Sequence, residues 1–381
     1  MEANQVKIHK RIYIVIIILS VLSALRSLLI PLHADELTYS KLAENILQGR
    51  YYLINHPSSV APTIPFVFAL FKINTFPLLG IILNKLFNLC LVGFGFRFMA
   101  LFLKQQNISQ IIIWSILALI AVNPTSVAWF STLYPEALIF FSFWGFIYYV
   151  SQTPKQSHLI KILAFFVLMI FTRYLYAVLG IIILINYYDY LKENFKVYSK
   201  SILIYSLIFL IPVILWAKYL LNIEEQNLSE ISYFNRFKVD NPLLYNIKCG
   251  LGLEKHHEVD KINGLPAFTS LFVPITGFRN YIVSLVLIVG FMVGLISHLK
   301  FTAIKKLFIS VIVIMLGFVF AGTGFSRYWL VLLPAFYLGY YYLFKLLKIH
   351  DKWFVYATQI MSFIYILNEI RLDILIVNKY L

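Results

Sequence analysis

Apolar residues recur along this chain in runs of about twenty positions, a length that crosses the ~30 Å hydrocarbon core of a bilayer as a helix. The first run covers 12–32 and ends Leu29-Ile30-Pro31-Leu32. Others fall at 77–103, 108–128, 133–151, 158–172, 173–189, 200–221, 280–299, 306–325, 327–346 and 352–370. The pattern predicts an all-α polytopic membrane protein with about eleven transmembrane helices, organised as a single integral-membrane domain over 1–381. A transmembrane barrel would show short alternating segments instead. The runs 158–172 and 173–189 are the shortest, with Arg173 at their junction. They read either as two helices meeting at a turn or as one long broken element.

Two stretches between runs are long, 33–76 and 222–280. Within the first, Tyr39, Leu42, Ala43 and Ile46 repeat at helical spacing, one apolar face of a helix over 37–49. Gly49 suits its C-terminal cap. A proline-rich stretch follows at 56–65, then an apolar piece at 66–73 too short to span. Both 37–49 and 66–73 are expected to lie along the membrane surface as interfacial helices. The second loop is polar and is expected to hold only short helices. No internal repeat is visible.

Composition sharpens this picture. The chain is 61% hydrophobic and 13% charged, more apolar surface than a soluble domain can hide. A net charge of +15 raises nucleic acid as a partner. Position argues against it: Lys7, Lys10, Arg11, Lys104, Lys155, Lys161, Lys192, Lys196, Lys200, Lys300, Lys305, Lys306, Lys345, Lys348 and Lys352 lie between spans, in alternate loops. That is the positive-inside pattern. It places the N-terminus in the cytoplasm and both long loops on the opposite side. The first run is longer than a signal-peptide core and no small-residue cleavage site follows it, so it reads as a retained span. Cys90 lies in an apolar run and Cys249 in a polar loop, so no disulfide is expected.

The candidate chemistry sits at span ends. Asp35 and Glu36 follow the first span directly. Asp35 reads either as the N-cap of the surface helix or as a general base facing water beside lipid. Arg173 and Arg327 each precede a tyrosine, Tyr174 and Tyr328, between apolar runs. Each arginine alone reads as snorkelling to the interface; together, on the side of the acids, they suit a lipid phosphate. Arg279 and Arg236 are weaker candidates of the same kind. Glu136, in Tyr134-Pro135-Glu136, is a favourable helix-start acid or a hydrogen-bond partner for a sugar hydroxyl. The run 254–260, with His256 and His257 adjacent, lacks the spacing of a metal site. His56 shares the first loop with the acids. Arg26, Lys85 and Arg97 are embedded in apolar runs without forming an evident path. No nucleotide-binding or hydrolase motif is present.

In their order, these segments resemble the GT-C superfamily of integral-membrane glycosyltransferases, in particular the branch of protein O-mannosyltransferases and the lipid A aminoarabinose transferase. The likeness is carried by Asp35-Glu36 with Tyr39 and Ala43, the stretch 56–65 leading into 66–73, Tyr134-Pro135-Glu136, and Arg327-Tyr328 followed by Pro334. The resemblance implies a glycosyltransferase with a polyprenyl-phosphate sugar donor, a glycan, lipid or protein acceptor, and an active site on the non-cytoplasmic face of a bacterial inner membrane. It implies Asp35 as catalytic base with Glu36 beside it, and Arg327 with Tyr328 at the donor phosphate. Arg173 joins them by position. Glu136, His56 and Tyr39 would face the sugar or acceptor. No cofactor is required, and a divalent metal is left open. The chain departs from several relatives in lacking a large C-terminal soluble domain, and in reading His-Pro-Ser-Ser at 56–59. An O-antigen polymerase or ligase, and a non-enzymatic lipid-linked sugar flippase or transporter, are the rival readings.

Overall fold

The computed structural model describes residues 3–51, 60–227, 241–256, 261–273, 278–322 and 326–380. His56, Arg236, His257, Glu258 and Asp260 lie outside these residues. The fold is almost wholly helical. Its described strands are β1 (Lys255–His256) and β2 (Lys261–Ile262), paired antiparallel.

Helix α1 (Ala3–Ala24) continues into a 3-10 turn, Leu25–Leu28. Two short helices follow, α2 (Asp35–Leu47) and α3 (Thr63–Leu70), packed on each other through Tyr39 and Phe68, whose rings lie 5.9 Å apart. Thr63 Oγ1 donates to the Phe171 carbonyl at 2.7 Å, seating the start of α3 on the end of α8 (Gln156–Thr172). Helix α4 (Pro77–Gln105) is long and apolar, and its pieces Gly95 and Phe96 pack on Phe140 of α7 (Glu136–Val150).

Residues 108–128, expected as one span, fall on two helices with a bend between them. Helix α5 (Gln110–Val122) and α6 (Pro124–Ser131) meet at 63°. Pro124 cannot donate a backbone hydrogen bond, and Asn123 caps the new helix by accepting from the Thr125 amide at 2.9 Å. The Asn123 amide also donates to the Leu271 carbonyl at 2.6 Å, fixing the bend against the second half of the chain.

Residues 173–221 also differ from a simple pair of spans. Arg173 is extended, Tyr174–Leu179 forms 3-10 turns, and α9 (Gly180–Asn227) carries helical hydrogen bonding through both expected spans and into the loop expected from 222. A straight helix would set Gly180 and Trp216 about 54 Å apart. Yet Trp216 Nε1 donates to the Tyr174 hydroxyl at 2.8 Å, and both Tyr187 and Tyr205 bond the start of α8, at Lys155 and Gln156. The axis therefore turns back between Tyr187 and Tyr205, in the stretch that carries Lys192, Lys196 and Lys200.

The second half comprises α10 (Pro242–Leu251), a 3-10 stretch Leu265–Leu271, α11 (Tyr281–Ile296), α12 (Thr302–Phe320), α13 (Ser326–Trp329), α14 (Leu333–Leu346) and α15 (Asp351–Tyr380). Helices α11 and α14 cross in contact: a Cβ added at Gly294 would meet the Gly339 carbonyl oxygen at 1.8 Å. Small residues allow this approach where lipid supplies no hydrophobic drive between helices.

Among the described residues, five helices are long and apolar enough to cross a membrane, or six with the bent α5–α6 pair as one span. Helices α7, α8 and α11 are apolar but shorter. One large core, with Trp144, Phe268, Trp329 and Phe336, joins the two halves of the chain. A smaller core of Tyr39, Ala43, Ile64, Phe68, Leu133 and Tyr134 lies under α2 and α3. The candidate site falls between the two.

Candidate functional site

The site begins with a tight turn. The Glu36 amide donates to the His33 carbonyl at 3.0 Å, and between them Ala34 takes φ 47° and ψ −121°. That backbone region favours glycine and costs a non-glycine residue roughly 1–3 kcal/mol. The turn opens α2 with Asp35 as its first residue; Ala34 holds the N-cap position and no side chain caps the helix. The Asp35 carboxylate is thus free of capping duty and reaches across the fold instead.

It meets Arg327. Arg327 Nη2 donates to Asp35 Oδ2 at 3.0 Å, across 292 positions of sequence. The Arg327 side chain is 15% exposed and that of Asp35 47%, so the pair joins an interior cation to an acid at the opening. The guanidinium carbon lies 5.1 Å from the Trp129 ring, 5.0 Å from Tyr134 and 5.1 Å from Tyr328. Three π-faces at this range stabilise a cation held away from water. Arg327 points into this cage, not outward to lipid.

Arg173 stands behind it. Its Nη2 lies 2.5 Å from Glu136 Oε1, and the same oxygen lies 3.9 Å from Arg327 Nε. The Arg173 guanidinium also stacks 4.1 Å from the Tyr328 ring, which in turn lies 5.9 Å from Phe318. The charges therefore alternate as Arg173, Glu136, Arg327, Asp35. Glu136 opens α7, where a helix N-terminus favours an acid, and Pro135 precedes it. Glu136 Oε2 is buried with no hydrogen-bond donor among the described residues. It borders a cavity of about 10 Å³ lined by Arg173, Tyr176, Arg327 and Tyr328, room for one water.

Glu36 does something different from its neighbour. It is 3% exposed, and its oxygens accept from the Leu133 amide at 2.8 Å and the His33 amide at 3.0 Å. It fastens the loop carrying Tyr134 and Glu136 to the start of α2. It faces away from the opening, where the sequence had set it beside Asp35 in the acidic motif. Tyr39 is buried against Phe68 and Tyr134, so its ring builds the wall under Asp35. Burial, and then the negative charge of Asp35, hold the Tyr39 phenol well above its ordinary value. The same two causes, in the same order, push Tyr134 up to about 12.

The fold brings Asp35, Glu136, Arg173, Arg327 and Tyr328 into one cluster. Trp144 Nε1 donates to the Val331 carbonyl at 3.1 Å and so anchors the turn after Arg327 to α7. Sequence reasoning overlooked Trp129, which completes the arginine cage; a lone tryptophan in an apolar run carries no distinguishing signal. Arg279 was a candidate by type alone, and burial lowers its pKa from the ordinary arginine value. Arg97 is exposed. No cluster of three or more metal-ligating side chains exists among the described residues.

Two guanidiniums and two carboxylates balance in this cluster, which faces solvent through Asp35. Such a cluster can bind an anion by exchanging an internal carboxylate for it, and Asp35 is the more exposed of the two. No family model matches the chain, and no curated protein or solved structure matches it.

Proposed function

We propose that this protein is an inverting glycosyltransferase that moves a sugar from a polyprenyl-phosphate donor to a hydroxyl of a glycan, lipid or protein. The observation that carries this reading is the pairing of Asp35 with Arg327 at 3.0 Å, an exposed acid beside a caged cation. In the proposed reaction, the donor phosphate takes the Arg327 fork, with Arg173 behind it. Asp35, released, accepts the proton of the acceptor hydroxyl. That oxygen attacks the anomeric carbon from the face opposite the phosphate. The bond from the anomeric carbon to the phosphate oxygen breaks, and its electron pair leaves on the phosphate. Fixed guanidinium charge stabilises the leaving group where the negative charge accumulates. Tyr328 positions both arginines, Glu136 spaces them, and Tyr39 shapes the floor.

The topology proposed with this activity has the N-terminus in the cytoplasm and about eleven crossings, with the reversing α9 counted as parts of two. The active site then faces the periplasm of a bacterial inner membrane. A purified-protein assay with radiolabelled polyprenyl-phosphate sugars and a panel of hydroxyl acceptors tests the reading. Transfer that needs a monophosphate-linked sugar supports it. Use of diphosphate-linked oligosaccharides alone would assign the chain to polymerases or ligases. Movement of the lipid-linked sugar across vesicles without transfer would assign it to transporters.

A further inference from the structure

A second site lies away from Asp35, between α1 and α15. There a cavity of about 470 Å³ opens between the two helices, within the usual size range of ligand pockets. Its walls are apolar, formed by Leu19, Leu22, Leu28, Ile366, Ile370 and Val377. Leu22 is 56% exposed and Ile370 48%, so the cavity is open on the side these helices turn to lipid.

Its polar part is a charge cluster. Arg26 Nη2 lies 2.6 Å from Glu369 Oε2, and Arg26 Nη1 lies 2.7 Å from Asp373 Oδ1. Ser23 Oγ lies 2.8 and 2.7 Å from the two Asp373 oxygens. One guanidinium therefore serves two carboxylates. The other nearby cation is engaged elsewhere: Lys85 donates to Ser27 and to the Ser131 carbonyl, and lies in the field of Glu36. Arg371 is exposed and bonds Asn368. The cavity thus keeps an excess negative charge.

Glu369 sharpens the point. It is 2% exposed and lines the cavity. Its Oε2 pairs with Arg26 at 2.6 Å, and its Oε1 accepts from the Asn368 side-chain amide at 3.5 Å. Two carboxylates that share one guanidinium keep acceptor positions for a further cationic donor. Depth supports a lipid. Arg26 stands about 24 Å along the helix from Lys10, the far end of a ~30 Å hydrocarbon core. Headgroups of the opposite leaflet lie at that level, and the apolar walls extend beside their chains.

We infer that the cavity between α1 and α15 binds an ethanolamine phospholipid, with its primary ammonium on Glu369 and Asp373 and its acyl chain along the apolar walls. A quaternary choline has the charge but no N–H to donate. An anionic glycerol headgroup has neither and meets the excess negative charge. This site rests on the membrane-spanning reading of the fold and not on the proposed transfer activity.

The test uses purified full-length protein in detergent, mixed with equal amounts of ethanolamine, choline and glycerol phospholipids of one acyl composition. Native mass spectrometry then counts the retained lipids. Ethanolamine lipid is expected to be retained about tenfold over the other two, the worth of one charge-assisted hydrogen bond. Asp373→Asn keeps the shape and is expected to reduce that preference to near parity. Ile370→Trp fills the cavity and is expected to lower retention of ethanolamine lipid without unfolding a lipid-facing helix. Equal retention of glycerol and ethanolamine lipids by the unaltered protein would overturn the inference. So would an undiminished ethanolamine preference in Asp373→Asn or Ile370→Trp protein that keeps its thermal stability.

Discussion

Replacing Asp35 by Asn is expected to tighten binding of the donor phosphate while removing transfer. Arg327 donates to Asp35 at 3.0 Å, so an incoming phosphate must displace a carboxylate. A charge-assisted hydrogen bond contributes about 1.5–3 kcal/mol when desolvated. The Asp35 side chain is 47% exposed, and water screens its end of the pair, which brings the competition to about 1 kcal/mol. Its removal strengthens phosphate binding about fivefold. Glu136 does not offer the same exchange, because its side chain is 4% exposed and its oxygen bridges two arginines. Loss of the base lowers turnover by about 10²–10⁴-fold. Calorimetric titration with a short-chain polyprenyl phosphate reads the first effect, and single-turnover transfer reads the second. Weaker binding in Asp35→Asn would show that Asp35 does not compete for Arg327. Near-normal turnover would show that it is not the base.

Arg327→Lys keeps the charge but loses the fork and much of the aromatic stacking, so donor binding is expected to fall about tenfold, and Arg327→Ala to fall further. The reverse order in the same titration refutes phosphate recognition by the guanidinium. Glu36→Gln leaves two backbone amides short of a charged acceptor and is expected to cost about 1–3 kcal/mol of stability. Thermal unfolding should reveal that loss, while turnover per folded molecule stays within a few-fold; a selective loss of turnover would instead put Glu36 in the chemistry. Tyr134 should destabilise the fold at high pH. Its phenol is raised from 10.0 to about 12, so its contribution is complete below pH 10 and is lost as pH rises toward 12. A Tyr134→Phe protein should lose less stability than the parent between those values, and identical pH profiles would contradict the assignment.

The arrangement has a mechanical logic. Arg327 comes from the C-terminal half, Asp35 from the first loop, and Glu136 and Arg173 from the ends of α7 and α8. Glu36 ties the first loop to the strand of chain before α7, and Trp144 ties α7 to the turn after Arg327. Four separate pieces of chain are therefore held in register by buried hydrogen bonds, with only Asp35 left half-exposed.

The sequence by itself determined the helical, membrane-length character of the chain, because apolar length is a local property that each segment carries alone. It also marked Asp35, Glu136, Arg173 and Arg327, since a charge among apolar residues stands out without any knowledge of its partner. Partners were a different matter. Asp35 and Glu36 are adjacent in sequence and chemically alike, yet the Ala34 turn sends one to Arg327 and the other to the backbone of Leu133. Successive residues of a helix point about 100° apart, and only the packing decides which direction holds the cation. The reversal within α9 and the 63° bend between α5 and α6 rest on hydrogen bonds to distant segments, Tyr174 and Leu271. Glu369 and Asp373 carry no distinguishing signal in the sequence, and only the fold sets them against Arg26. Charge pairing and burial depend on neighbours far away in sequence, so the tertiary structure alone decided which acids hold arginines and which hold backbone amides.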